Sequence, residues 1–127
     1  MMNLDHNLLS GVRVLLVEDD PLLIMDIEGT LTEAGTVVVH ACRTVGDAIW
    51  RSKDADFSVA ILDFRLGSET VSPVARRLAD RGVPFVIYTG QARDEAGLAE
   101  WLDRSIVEKP AAPQALVSAV REALASQ

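Results

Sequence analysis

The chain has 127 residues, 49% of them hydrophobic and 24% charged, with a formal net charge of −7. That length makes one domain with a proper core, and the apolar fraction excludes a disordered chain. The balance of 19 acidic against 12 basic residues argues against nucleic acid as a partner, since phosphate would be repelled.

No apolar stretch approaches the roughly 20 residues that span a bilayer. Met1 to Ser10 lacks the basic end and long apolar segment of a signal peptide. A cytoplasmic protein without membrane contact is therefore expected. A lone cysteine, Cys42, excludes an internal disulfide and cannot anchor a zinc site by itself. The densest basic cluster, Arg76, Arg77 and Arg81, falls on the polar side of a helical pattern and reads as a solvated face.

Residues 1–10 read as a tail and residues 11–127 as the domain, in which strand and helix patterns alternate. Val12 to Val17 is the first strand. Pro21 opens a helix at a position where its missing N–H costs nothing. Ile24, Ile27, Leu31 and Ala34 then share one face, and Gly35 ends the helix as a left-handed cap. Thr36 to His40, rich in β-branched residues, is the second strand. Thr44 with Asp47 resembles a capping box for a short helix through Trp50.

The third strand, Phe57 to Leu62, ends at Asp63. Ser72 and Pro73 are the expected cap and first position of a third helix, with Val71, Val74, Ala75 and Leu78 as its stripe and Gly82 as its stop. A fourth strand runs from Val83 to Tyr88. The fourth helix, about Asp94 to Leu102, has few apolar positions and is interrupted by Gly97. After a fifth strand at Ile106 to Glu108, Pro113 to Ala125 forms a fifth helix striped by Leu116, Ala119, Val120, Ala123 and Leu124. Strands separated by helices of this length favour right-handed crossovers and a parallel sheet covered on both faces. The fold class is α/β.

In such a sheet the residues just past each strand gather at one carboxyl edge, where open α/β sheets bind ligands. Here they are Glu18, Asp19 and Asp20; Asp63; Thr89 and Gly90; and Lys109 and Pro110. Carboxylates, a hydroxyl and an ammonium together make a site for a divalent cation and a phosphoryl group. Asp63 can act as a nucleophile that accepts phosphoryl. Like-charge repulsion among Glu18, Asp19 and Asp63 raises a pKa or attracts a cation, and an all-oxygen donor set suits Mg²⁺. Lys109 can hold a phosphoryl oxygen and the Thr89 hydroxyl can donate to it.

These pieces (Val17-Glu18-Asp19-Asp20-Pro21, Leu62-Asp63, Thr89-Gly90 and Glu108-Lys109-Pro110) resemble a response-regulator receiver domain over nearly the full length. The resemblance implies a flavodoxin-like, three-layer fold whose five parallel strands are ordered 2-1-3-4-5. It implies that Asp63 is the phospho-acceptor, that Asp19 ligates Mg²⁺ and that Glu18 acts mostly through water. The backbone carbonyl of Arg65 would be a further ligand, Thr89 the switch hydroxyl and Lys109 the phosphoryl-binding lysine. The Lys109–Pro110 bond would be cis.

The implied donor is a histidine kinase or histidine phosphotransfer protein. The implied output is a protein reader, or a second copy of the chain, at the face of the fourth helix, fifth strand and fifth helix. Leu66-Gly67, Val83-Pro84-Phe85-Val86 and Thr89-Gly90 further resemble a subgroup of stand-alone receivers whose fourth strand ends Phe-Ala-Thr-Gly. Here that stretch is Ile87-Tyr88-Thr89-Gly90. Ile106 stands where most receivers carry an aromatic, leaving Tyr88 or Trp101 to take its part.

Other readings of the same residues are weaker. Taken singly, Asp19 and Asp63 read as caps or solvated turns, Thr89 as a loop cap and Lys109 as a snorkelling side chain. His6 and His40 lie outside the constellation and take no catalytic role, and Trp50 reads as helix packing. A Mg²⁺-dependent phosphohydrolase usually carries a second aspartate two residues past its nucleophile, and here that residue is Arg65. An FMN binder needs a hydroxyl- and glycine-rich loop after the first strand, where this chain has three carboxylates. A phosphate sink, or a receiver that works without phosphorylation, shares every motif with a switch.

Overall fold

The computed structural model describes residues 9–90 and 97–126. Its main sheet holds five parallel strands: β1 (Arg13–Val17), β2 (Val37–Cys42), β3 (Val59–Leu62), β6 (Phe85–Thr89) and β7 (Ser105–Glu108). They lie in the order β2-β1-β3-β6-β7. Counting only these strands, that is the 2-1-3-4-5 order implied by the sequence. Between β3 and the next helix, β4 (Arg65–Leu66) and β5 (Glu69–Thr70) form a small antiparallel hairpin that the sequence reading had not separated from its loop.

Among the described residues, four α-helices cover the sheet: α1 (Pro21–Glu33), α2 (Val45–Arg51), α3 (Ser72–Asp80) and α4 (Pro113–Ala125). Each face has its own core, because successive strand residues point to opposite sides. Leu15, Val17, Ala60, Leu62, Phe85 and Ile87 face α2 and α3. Val14, Leu16, Val59, Ile61, Val86 and Tyr88 face α1 and α4. Fully burying one such aliphatic side chain stabilises the fold by roughly 1.5–3 kcal/mol. Leu9 joins the second core, and its N–H donates to the Ala34 carbonyl.

Local chemistry sets the helix ends. The Asp20 carboxylate caps α1 by accepting from the Leu22 N–H at 2.9 Å, which fixes the chain immediately after β1. Past α1, Gly35 adopts φ +99° and the Thr36 N–H returns to the Leu31 carbonyl, the closure expected of a glycine stop. Thr44 caps α2 through the Asp47 N–H at 3.1 Å. For α3, Val71 takes the cap position and Ser72 lies inside the helix. The Ser72 hydroxyl is instead buried, with the Trp101 indole N–H pointing to it at 3.4 Å.

The expected fourth helix falls partly on residues 91–96, outside the described residues. Its described end, Leu98–Trp101, is a single 3-10 turn entered through Gly97 at φ +90°. Trp101 is buried there and meets Phe85 edge to face, with ring centroids 5.6 Å apart. Trp50 is the reverse case. It is 62% exposed, with the Lys53 ammonium over its ring, and does not pack in the core as its helix position had suggested.

Candidate functional site

Register brings the polar residues together. Val17 pairs with Leu62, so Glu18 and Asp63 leave the sheet side by side. Thr89 pairs with Glu108, so Lys109 follows one residue beyond. Backbone bonds hold this edge: the Glu18 N–H donates to the Cys42 carbonyl at 2.9 Å and the Asp63 N–H to the Val17 carbonyl at 2.8 Å. The Lys109 N–H donates to the Thr89 carbonyl, also at 2.8 Å. The Lys109–Pro110 bond is cis.

The Lys109 ammonium donates to Glu18 Oε1 at 2.8 Å and reaches Asp63 Oδ2 at 3.2 Å. The other Glu18 oxygen accepts the Asp20 N–H at 3.1 Å. Glu18 is almost wholly buried, and Asp63 and Thr89 are buried beside it. Burial and then the Glu18 charge push the Asp63 carboxyl up to about 7, against the opposing pull of Lys109. Burial alone would depress the Lys109 ammonium, but the bonds and charges of Glu18 and Asp63 outweigh it and hold it above its ordinary value.

Glu18, Asp19 and Asp63 each offer a carboxylate oxygen, and these oxygens lie within 4.8 Å of one another. Three hard oxygen donors, two of them buried, fit Mg²⁺, which binds through a few carboxylates and keeps several waters. Among the described residues the Lys109 ammonium meets both buried carboxylates, and a divalent ion would add positive charge beside them.

Arg65 opens the β4–β5 hairpin two residues past Asp63 and pairs with Thr70. Asp19 is positioned by Arg43, whose guanidinium donates to the Asp19 carbonyl at 3.2 Å. The sequence reading assigned Arg43 no part, although its place just past the end of β2 was a usable signal. Tyr88 turns toward the α1 and α4 face, with its ring centroid 5.4 Å from the Lys109 ammonium. Trp101 sits in the opposite core, near Ile106. Of the two aromatics, Tyr88 therefore has the direct contact with the site. Cys42 lies behind it as packing, its thiol pushed up to about 12 by burial and the Asp47 carboxylate.

The described site thus gathers carboxylates, an ammonium and a buried threonine at the carboxyl edge of an open α/β sheet. The family model for the response regulator receiver domain matches residues 14–121. Among solved structures, SdrG from Sphingomonas melonis Fr1 is 34% identical, covering 91% of this chain and 97% of that one with a TM-score of 0.79. A response regulator receiver protein from Sinorhizobium medicae WSM419 is 31% identical, covering 93% and 98% with a TM-score of 0.77. The response regulator PhyR from Brucella abortus shares the fold, at 24% identity and a TM-score of 0.75, and this chain spans 49% of its length. No curated protein sequence matches. By its matched residues, its strand order and its relatives, the chain belongs to the response regulator receiver domain family.

Proposed function

We propose that this receiver domain is the phosphoacceptor switch of a two-component phosphorelay, with Asp63 as acceptor and Mg²⁺ as its cofactor. The observation that carries the reading is the contact of the Lys109 ammonium with both Glu18 and Asp63 at the sheet edge. The donor is a phosphohistidine of a kinase or phosphotransfer protein. An Asp63 carboxylate oxygen forms the new bond to phosphorus, the P–N bond breaks, and the histidine nitrogen leaves with that electron pair. Such transfer needs mainly positioning and charge neutralisation. Lys109 donates to a phosphoryl oxygen while keeping Glu18 as its second partner, and the Thr89 hydroxyl is the further donor. Asp19, Asp63 and the Arg65 carbonyl would hold Mg²⁺, with Glu18 acting through water, and the ion would supply the positive charge that the acidic cluster lacks.

The chain acts as a signalling module and turns over no separate substrate. The residue two past the acceptor is Arg65, so the acid–base group of an aspartyl-phosphate hydrolase is missing. Output passes to a protein reader, or to a second copy, through the face around β7 and α4. The test is intact mass after incubation with Mg²⁺ and acetyl phosphate. One added phosphoryl group is expected on the wild type and none on Asp63→Asn. Equal labelling of the variant contradicts the assignment.

A further inference from the structure

A second constellation lies away from the phosphoacceptor. His40 projects from β2, the edge strand, toward the loop between α2 and β3 that carries Asp54 and Asp56. Its Nε2 is 3.2 Å from Asp54 Oδ2 and 3.2 Å from Asp56 Oδ2. One ligand atom from each residue falls within a 4.8 Å span. The loop precedes β3 whereas Asp63 follows it, so the two constellations sit at opposite ends of one strand.

We propose that His40, Asp54 and Asp56 form a second cation site, selective for a borderline divalent ion of the Zn²⁺ class. A neutral imidazole offers one N–H or one lone pair at Nε2 and cannot satisfy two carboxylates at once. Arg51 reaches Asp54, but at 3.6 Å and from a half-exposed position. A metal at bond lengths of about 2.0–2.1 Å in tetrahedral geometry separates its ligands by about 3.3–3.4 Å. The two nitrogen–oxygen separations of 3.2 Å are close to that edge length, and the third edge, between the two carboxylates, lies within the 4.8 Å span.

The ligands are also held in place before binding. His40 is fixed in the sheet opposite Leu15. The Arg13 guanidinium donates to the Asp56 carbonyl at 2.7 Å, and the Asp54 N–H closes a turn onto Arg51. Partial exposure of all three side chains leaves a path for the ion and room for a water as fourth ligand. An imidazole donor favours Zn²⁺ over Mg²⁺, so this site and the all-oxygen site at Asp63 take different metals.

The test is calorimetric titration with Zn²⁺ in millimolar Mg²⁺, paired with the imidazole ¹⁵N spectrum of the same samples. One micromolar binding event is expected, together with a metal-induced shift of His40 Nε2. His6→Ala binds as the wild type does, whereas His40→Ala and Asp56→Asn each weaken binding by about tenfold or more, at least what supporting outer-shell residues cost. Circular dichroism confirms that each variant is folded, and the wild-type imidazole spectrum decides the matter even if one is not. No Zn²⁺ heat and an unmoved His40 resonance overturn the site, as does undiminished affinity in folded His40→Ala. In either case the cluster is a polar contact that fastens the loop to the sheet edge.

Discussion

At Asp63, burial and the charge of Glu18 work against Lys109, and the first two win. With a folded-state pKa near 7 against an ordinary 3.8, the folded chain keeps this proton to higher pH than the unfolded chain does. The associated stability is therefore full below the unfolded value and is lost as pH rises through 7. At about 1.4 kcal/mol per pH unit of displacement, the loss is on the order of 4 kcal/mol.

Without divalent metal, the wild-type melting temperature is thus expected to fall between about pH 4 and about pH 7 more steeply than that of Asp63→Asn. Parallel slopes in the two proteins would mean that another group titrates. The same repulsion gives the metal its effect. Millimolar Mg²⁺ is expected to raise the wild-type melting temperature, since it binds the folded state alone, and to raise that of Asp19→Asn much less. An equal response in both would place the ion elsewhere.

Among the elements, the segment from Gly97 to Trp101 departs most from its sequence pattern. The pattern predicts a helix here, and the described part is a 3-10 turn with the Trp101 indole buried against Phe85. The pattern misleads because only Leu98 and Trp101 of this stretch are buried, too few for a helical period. Gly97 holds φ +90°, and a Cβ there would lie 3.6 Å from Phe64 Cζ. The space is adequate, so the cost of substitution comes from the backbone. Gly97→Ala is expected to lower stability by roughly 1–2 kcal/mol, measured by urea denaturation. A neutral change would show that the segment can adopt another path.

Elsewhere the elements were legible because they are punctuated chemically: Pro21 as a helix opener, Thr44 as a cap, and Gly35 and Gly82 as stops. The β4–β5 hairpin was not legible, because two-residue strands have no period to detect. The direct Lys109–Glu18 contact was equally hidden, since it joins residues 91 positions apart and only the sheet register brings them together. The contact of His40 with Asp54 and Asp56 was hidden for the same reason. The two aspartates lie in a loop whose approach to β2 no local pattern encodes.

For the whole molecule, the two aromatics lie in different cores and only Tyr88 of the two contacts the site, and this bears on how a signal leaves it. Tyr88 lies beside the Lys109 ammonium, while Trp101 is in the opposite core. Under the proposed function, a phosphoryl group that draws on Lys109 and Thr89 would perturb β6 and β7, which are joined by the Thr89–Lys109 backbone bond. Trp101 emission is a first screen, made in a Trp50→Phe background because Trp50 is exposed and unrelated to the site. The direct measurement is the backbone amide spectrum of the Mg²⁺-loaded protein before and after addition of beryllofluoride, a phosphoryl mimic. Shifts are expected at Asp63 and also at Thr89, Gly90 and Ser105 to Glu108, with none in Asp63→Asn. Shifts confined to the residues flanking Asp63 would contradict a switch and leave a domain that only stores phosphate.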